Sequence, residues 1–414
     1  MTSQRTHVTP RIIIHGGAGN ITRNTISKER YDAYQASLRR ILAESATLLN
    51  QKGATALDVA TYAVSLLEDD ELYNSGKGAV FTRKGKNELE CSIMVSNGYR
   101  KRGVGCMMLQ RARNPIKLAR ELLIRGEMEG GDGSGDHCQY SGAFAERLAE
   151  QWGLELVDPS YFFTQQRWDE HRRGLKEKEG ISGEMSDWEK SNYIPLGTCG
   201  AVVLDSFGTV CAATSTGGLT NKIPGRIGDT PTLGTGFWAG EWHEEIKRPS
   251  FPRVQMRYQP NVSPLDKLSR GYIGSLMGDC FSTVEAPGIE QEAPHREKHE
   301  VVCGRRAIGV SGTGNGDSFL RLSASNTTAN KSRFSQMCLA KAISWMAGPD
   351  GELQKSAGDR WGRTHEGTGG MIGIELVGEG KGEVVFDFNC DGMFRAWIDE
   401  GGEQKCMIFR EEEY

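Results

Sequence analysis

No run of apolar residues in this sequence is long enough to cross a membrane, and Met1 to Arg11 is polar, without the apolar core of a secretory signal. No CxxC pair occurs. The ten cysteines are dispersed (Cys91, Cys106, Cys138, Cys199, Cys211, Cys280, Cys303, Cys338, Cys390, Cys406), a usage that fits thiols kept reduced rather than a disulfide framework. Nor is there an excess of basic charge: 50 Lys and Arg stand against 54 Asp and Glu, a formal net charge of −4. Bulk attraction to nucleic acid or to an acidic membrane surface is thereby excluded. Together these absences predict a cytoplasmic protein whose partners are small molecules. The Asn-x-Ser/Thr triplets at Asn20, Asn261 and Asn326 are then expected to carry no glycan. At 414 residues the chain is long enough to bury a substantial core, as one large domain or one domain with an insertion.

Familiar ligand signatures are missing as well. Arg11 to His15 reads as a buried strand running into Gly16-Gly17-Ala18-Gly19, but no lysine with Ser or Thr follows, so this is no P-loop. His15 reads as a hydrogen-bonded structural group, with a catalytic base as the alternative. Glu68-Asp69-Asp70-Glu71 lacks the alternation of an EF-hand and reads as an acidic helix end. The glycines between Glu129 and Gly135 are too irregular to argue for a nucleotide. His295 and His299, with Cys303 beyond, have zinc-like spacing, but a fourth ligand is lacking and Pro294 argues for a loop.

What is present centres on Ile194-Pro195-Leu196-Gly197-Thr198-Cys199-Gly200-Ala201-Val202-Val203-Leu204-Asp205, a turn-prone approach that becomes a buried strand. A cut at Gly197–Thr198 would give Thr198 both a hydroxyl nucleophile and an amine to act as its base; an ordinary strand start is the plainer reading. Asp205-Ser206-Phe207-Gly208 is a type I turn ending in glycine, which folds Thr209–Thr216 back as the partner strand. That pairing brings Thr216 to within about one position of facing Thr198. Arg226 and Asp229, on the following Gly/Pro-rich turn, offer opposite charges for the carboxylate and ammonium of an amino acid, or else a surface ion pair.

The stretches Gly197–Asp205, Ala212–Gly218 and Thr220–Asp229 together resemble the plant-type asparaginase/isoaspartyl peptidase family, N-terminal-nucleophile hydrolases that cut themselves to become active. The opening strand and the ending Asp391–Trp397 match the same pattern. The resemblance implies an α+β four-layer αββα sandwich, a 1–197 α-chain and a 198–414 β-chain forming one domain, and a homodimer of cleaved units. It implies hydrolysis of the side-chain amide of L-asparagine or of β-aspartyl dipeptides, with no catalytic cofactor. Thr198 would be the nucleophile, oriented by Thr216 and Asn74. Thr313 and Gly314 would form the oxyanion hole in Thr313-Gly314-Asn315-Gly316-Asp317, where the family has glutamate at the last position. Arg226, Asp229 and Gly316 would hold the substrate. A structural sodium would sit among the backbone carbonyls of Leu67, Glu68, Asp70, Tyr73, Ser75 and Lys77. Glycosylasparagine hydrolysis and a non-catalytic binding protein on the same fold are the alternatives.

Two departures stand out: Val95-Ser96 where the family has Asp-Gly, and residues 241–306, interposed before the oxyanion strand and read as a surface insertion with a helical patch at 264–277. Elsewhere the patterns predict helices over Ser27–Leu49, Thr55–Glu68, Asn114–Arg125, Ser141–Trp152 and Lys331–Met346. They predict hairpins joining 79–82 to 89–94 and 370–376 to 383–389. Residues 167–192, charged and poor in pattern, are expected to form a mobile linker before the cut site.

Overall fold

Alternate residues of the central strands face two different cores, and this alternation sets the layers. The computed structural model describes residues 8–128, 134–135, 137–177, 197–247 and 301–411. Its strands, numbered in chain order, are β1 (Arg11–Gly19), β2 (Leu89–Val95), β3 (Gly103–Leu109), β4 (Gln139–Ser141), β5 (Cys199–Leu204), β6 (Val210–Thr216), β7 (Phe237–Lys247), β8 (Val301–Gly314), β9 (Gly369–Val377), β10 (Glu383–Phe388), β11 (Gly392–Ile398) and β12 (Gln404–Met407). The helices are α1 (Lys28–Leu49), α2 (Ala56–Glu68), α3 (Pro115–Arg125), α4 (Gly142–Gln151), α5 (Gln165–Glu177), α6 (Gly316–Leu322), α7 (Ala324–Phe334), α8 (Leu339–Ala347) and α9 (Glu352–Ser356).

One sheet has the order β12-β11-β1-β5-β6-β2-β3-β4 and the other β10-β9-β8-β7. Ile12, Ile14, Ala201, Val203, Cys211 and Ala213 pack with Leu38 and Ile41 of α1, Leu57 and Val64 of α2, and Leu118 and Leu122 of α3. Their sequence neighbours Ile13, Val202, Leu204, Val210 and Ala212 join Ala307, Ile372 and Ile374 between the sheets. On the far face of the smaller sheet Ile308, Val310 and Met371 meet Leu339, Ile343 and Met346 of α8. The result is helices, sheet, sheet, helices. A one-residue slip in any central strand would exchange its two faces, and each fully buried Leu or Ile is worth about 1.5–3 kcal/mol, so register is strongly fixed.

The chain divides into two units, Met1–Trp242 with Arg305–Tyr414, and His243–Gly304. Of the second, only the end of β7 and the start of β8 are described. His295, His299, the side chain of Cys303 and the 264–277 patch lie outside the described residues. No helix among the described residues is long and apolar enough to cross a membrane.

Three sequence expectations are corrected. Residues 79–82 form no strand, and β2 pairs instead with β3 and β6. Asn87 Nδ2 donates to the carbonyls of Ala79 (3.0 Å) and Val80 (3.1 Å), taking acceptors that a hairpin ladder would need. The helix over Lys331–Met346 is two helices, α7 and α8, broken at 335–338, with Gln336 at φ 50°. The broken ends are satisfied by side chains: Arg306 donates to Met337 O at 2.6 Å, and Leu339 N donates to Glu375 Oε2 at 2.9 Å. The linker expected from residue 167 begins as α5. Its Arg167 is buried and donates to Gly78 O (2.9 Å) and Leu72 O (3.2 Å), and Trp168 packs edge-on against Phe81. Residues 178–192 lie outside the described residues.

Candidate active site

The β5–β6 hairpin pairs Cys199 with Ser215, so the register carries Thr198 opposite Thr216 at its open end. Both threonines are buried, and both line a cavity of about 620 Å³. Thr216 Oγ1 accepts from Gly218 N at 3.0 Å. Asn74 holds the turn behind it: Nδ2 donates to Gly218 O at 2.7 Å, Oδ1 accepts from Val80 N at 3.1 Å, and its carbonyl accepts from Gly217 N at 2.9 Å. Asn74 thus acts on the strand end that carries Thr216.

From the smaller sheet, β8 brings Thr313 and Gly314. Thr313 Oγ1 is buried and has no hydrogen-bond partner among the described residues. A Cβ added to Gly197 would lie 2.2 Å from that oxygen, which places the orphan hydroxyl against the Gly197–Thr198 segment. Buried hydroxyls are rarely left unpaired, so an orphan packed against the cavity's Gly197 is a donor available to another atom. Gly314 and Gly316 line the cavity beside Arg226 and Asp229. Gly316 has no alternative as a residue, since a Cβ there would lie 2.4 Å from Asp229 Oδ1 and 3.1 Å from Arg226 Nη2.

Electrostatics divide these groups. Burial lifts the Asp229 carboxyl from 3.8 to about 7, against the opposing pull of Arg226. Arg226 also pairs with Asp317 at 3.2 Å, on the residue that replaces the family's glutamate. His15 is fully buried, shares a hydrogen bond with Ser311 at 2.7 Å through Nε2, and is pushed by burial from 6.5 to about 3. It is therefore a neutral structural imidazole between the sheets, the first of its two sequence readings.

Sequence reasoning passed over Thr230, Glu90 and Lys222. Thr230 Oγ1 lies 2.9 Å from Thr198 Oγ1 and shares a hydrogen bond with that hydroxyl; its one sequence signal was adjacency to Asp229. Glu90, on β2, accepts from Gly228 N at 3.1 Å and so fixes the turn between Arg226 and Asp229. Lys222 Nζ lies 3.6 Å from Glu90 Oε1 with both side chains 1% exposed, and it donates to Glu88 O at 2.8 Å. Neither was legible, because β2 and the 219–229 loop are far apart in sequence.

The loop after α2 lies apart from the cavity lining. Most of its side-chain oxygens are engaged elsewhere: Glu68 Oε1 accepts from Ile116 N (3.0 Å) and Ser215 Oγ (2.7 Å), Asp70 Oδ2 from Ser37 Oγ (2.6 Å), Tyr73 donates to Ser37 Oγ (3.1 Å), and Ser75 to Ser215 Oγ (2.8 Å), while the buried Glu68 Oε2 has no partner among the described residues. Among the described residues no group of three or more His, Cys, Asp or Glu side chains gathers as a metal site.

Two threonines and an opposed Arg/Asp pair in one cavity of a two-sheet α+β sandwich, with an orphan hydroxyl packed against the cavity's Gly197, are the equipment of a hydrolase that acts on amino-acid-like amides. The family model described as asparaginase matches residues 8–243, and the chain belongs to that family. It is 31% identical to an isoaspartyl peptidase of Escherichia coli over 97% of this chain and 96% of that protein. It is 34% identical to an isoaspartyl peptidase/L-asparaginase of Bos taurus over 56% of this chain and 67% of that one. A Dictyostelium discoideum protein is 41% identical over 56% of this chain and 70% of its own length.

Proposed function

We propose that the protein is a self-cleaving threonine amidohydrolase acting on the side-chain amide of L-asparagine and of β-aspartyl dipeptides. The observation that carries this reading is the convergence on one cavity of Thr198, Thr216, Gly314 and the Arg226/Asp229 pair, with the orphan Thr313 hydroxyl packed against Gly197 of its lining. In processing, Thr198 Oγ attacks the Gly197 carbonyl carbon, the C–N bond breaks, and water hydrolyses the resulting ester. Residues 1–197 and 198–414 then remain together as one domain. In turnover, the new amine of Thr198 takes its own hydroxyl proton as Oγ attacks the substrate amide carbon. Thr313 Oγ and Gly314 N–H face the developing oxyanion. The proton passes to the leaving nitrogen, an acyl-enzyme ester remains, and water releases aspartate. Arg226 takes the substrate carboxylate and Asp229 its ammonium.

A structural sodium in the loop of Leu67, Glu68, Asp70, Tyr73, Ser75 and Lys77, and a homodimer of cleaved units in the cytoplasm, belong to the same reading. In support of the sodium, a hard cation takes oxygen ligands, and with most side-chain oxygens engaged the loop offers backbone carbonyls. The chain wraps closely there: a Cβ on Gly76 would lie 2.2 Å from Glu68 O, and one on Gly78 2.0 Å from Tyr73 O.

Intact mass and N-terminal sequencing test the reading. The purified protein is expected as two chains, the second starting at Thr198, and Thr198→Ala as one chain that releases no aspartate from L-asparagine. A second chain starting at any other residue refutes the nucleophile.

A further inference from the structure

The cavity does not end at the groups that hold aspartate. Thr198, Thr216 and Asp229 line its buried part, whereas Arg83, Leu219 and Ile223 line it from exposed positions and form its mouth. Leu219 is 40% exposed and Ile223 62%, large apolar side chains left in water beside the opening. The volume of about 620 Å³ falls within the roughly 300–1,000 Å³ of pockets that enclose ligands larger than one amino acid.

Arg83, Lys222 and Arg226 line the cavity together with Glu90, Glu170, Asp229 and Asp317. Lys222 is paired with Glu90, Arg226 with Asp317 and Glu170 with Arg167. For Arg83 no ion pair is described, and Lys84 and Lys86 flank it on the same turn. The turn is held rigidly to the apolar loop, since Arg83 N donates to Lys222 O at 3.0 Å and Asn221 N to Phe81 O at 2.8 Å. The α5 helix locks the pair from above: Asn221 Nδ2 donates to His171 O at 3.1 Å, and Trp168 packs on Phe81. The backbone that carries Arg83, Leu219 and Ile223 is thereby held in place at the mouth, which lowers the cost of ordering their side chains on binding.

Resting on the amidohydrolase reading, we propose that Arg83, Leu219 and Ile223 form a leaving-group subsite for the C-terminal residue of a β-aspartyl dipeptide with an apolar side chain. Arg83 takes the free α-carboxylate of that residue, a planar match for its fork. Leu219 and Ile223 cover the side chain. L-Asparagine, whose leaving group is ammonia, leaves the subsite unused.

The test compares kcat/KM of the processed enzyme for L-asparagine, β-aspartyl-leucine, β-aspartyl-glycine and β-aspartyl-leucinamide, which lacks the carboxylate. A partly exposed ion pair of this kind supports an effect of about three- to tenfold. Arg83→Ala is expected to lower kcat/KM for β-aspartyl-leucine by that factor through KM, to erase the difference from the leucinamide, and to leave L-asparagine unchanged. Arg83→Lys is expected to restore part of the loss. Leu219→Ser with Ile223→Ser is expected to lower β-aspartyl-leucine relative to β-aspartyl-glycine. An equal loss on L-asparagine, or an unchanged distinction between acid and amide in Arg83→Ala, overturns the subsite alone. A wild-type enzyme inactive on both asparagine and the dipeptides overturns the amidohydrolase reading, and the subsite with it.

Discussion

Asp229 is a carboxyl whose burial holds it near neutrality, at about 7 rather than 3.8. Its proposed task is to accept hydrogen bonds from the substrate's ammonium, which needs the ionised form. The sign follows directly: as pH rises through about 7 the carboxylate forms, and binding improves while the substrate ammonium stays charged. The kcat/KM for L-asparagine is therefore expected to rise through that region, and Asp229→Asn to lose at least about tenfold in kcat/KM, the scale of a charge-assisted hydrogen bond, keeping only the rise that belongs to deprotonation of the Thr198 amine. A flat wild-type profile between pH 6 and 8 removes Asp229 from substrate binding. Thr198, Thr216 and Asp229 were legible because each lies in one short ordered stretch of sequence. Thr230 was not, since a hydroxyl beside an aspartate has many ordinary explanations, and its place opposite Thr198 depends on a loop that folds back over the hairpin.

Among the elements, α2 is tied into the structure by the last residue of the helix. Glu68 is fully buried, bridges the start of α3 through Ile116 N and β6 through Ser215, and burial pushes its carboxyl from 4.5 to about 8. Burial thus favours the uncharged acid at neutral pH, against which a cation in the adjoining loop would pull, and the side chain holds three elements together. Its folded-state value is raised, so its contribution is complete below the unfolded value and is lost as pH rises through about 8. Glu68→Gln keeps the acceptor and removes the ionisation. Its urea midpoint is expected to match wild type near pH 5 and to exceed it at pH 9, whereas Glu68→Leu, which strands Ile116 N and Ser215, is expected to fall below wild type at both. A pH-independent difference between Gln and wild type refutes the neutral-acid assignment. The helix from Ser27 was legible from its apolar period and the one from Thr55 from its cap; in the structure both are capped, Ser27 accepting from Arg30 N and Thr55 from Asp58 N. The false hairpin at 79–82 and the unbroken helix over 331–346 share one cause. Side chains distant in sequence, or a local asparagine, supplied the hydrogen bonds that a regular element would have made, and period alone does not show such partners.

Across the whole molecule, continuous apolar runs announced buried strands, and the match to a known family supplied the layers. The order of the larger sheet was beyond reach, because β1, near the start of the chain, lies between β5, from its middle, and β11, near its end. The interposed segment is where fold and sequence meet an open functional question. β7 and β8 are neighbours in the smaller sheet, and residues 248–300 connect them, within a region that groups apart from the rest of the chain. If the segment is an excursion that modulates access, replacing it with about six Gly/Ser residues removes roughly three doublings of loop length, about 2 kcal/mol of closure entropy. The shortened protein is then expected to unfold in one transition at a Tm no lower than wild type, to cut itself at Thr198, and to change its rates on dipeptides more than on L-asparagine. Calorimetry and intact mass decide it. A lowered or split transition, or a chain that stays whole, shows instead that 248–300 completes the core, because losing buried apolar surface outweighs any gain from a shorter loop.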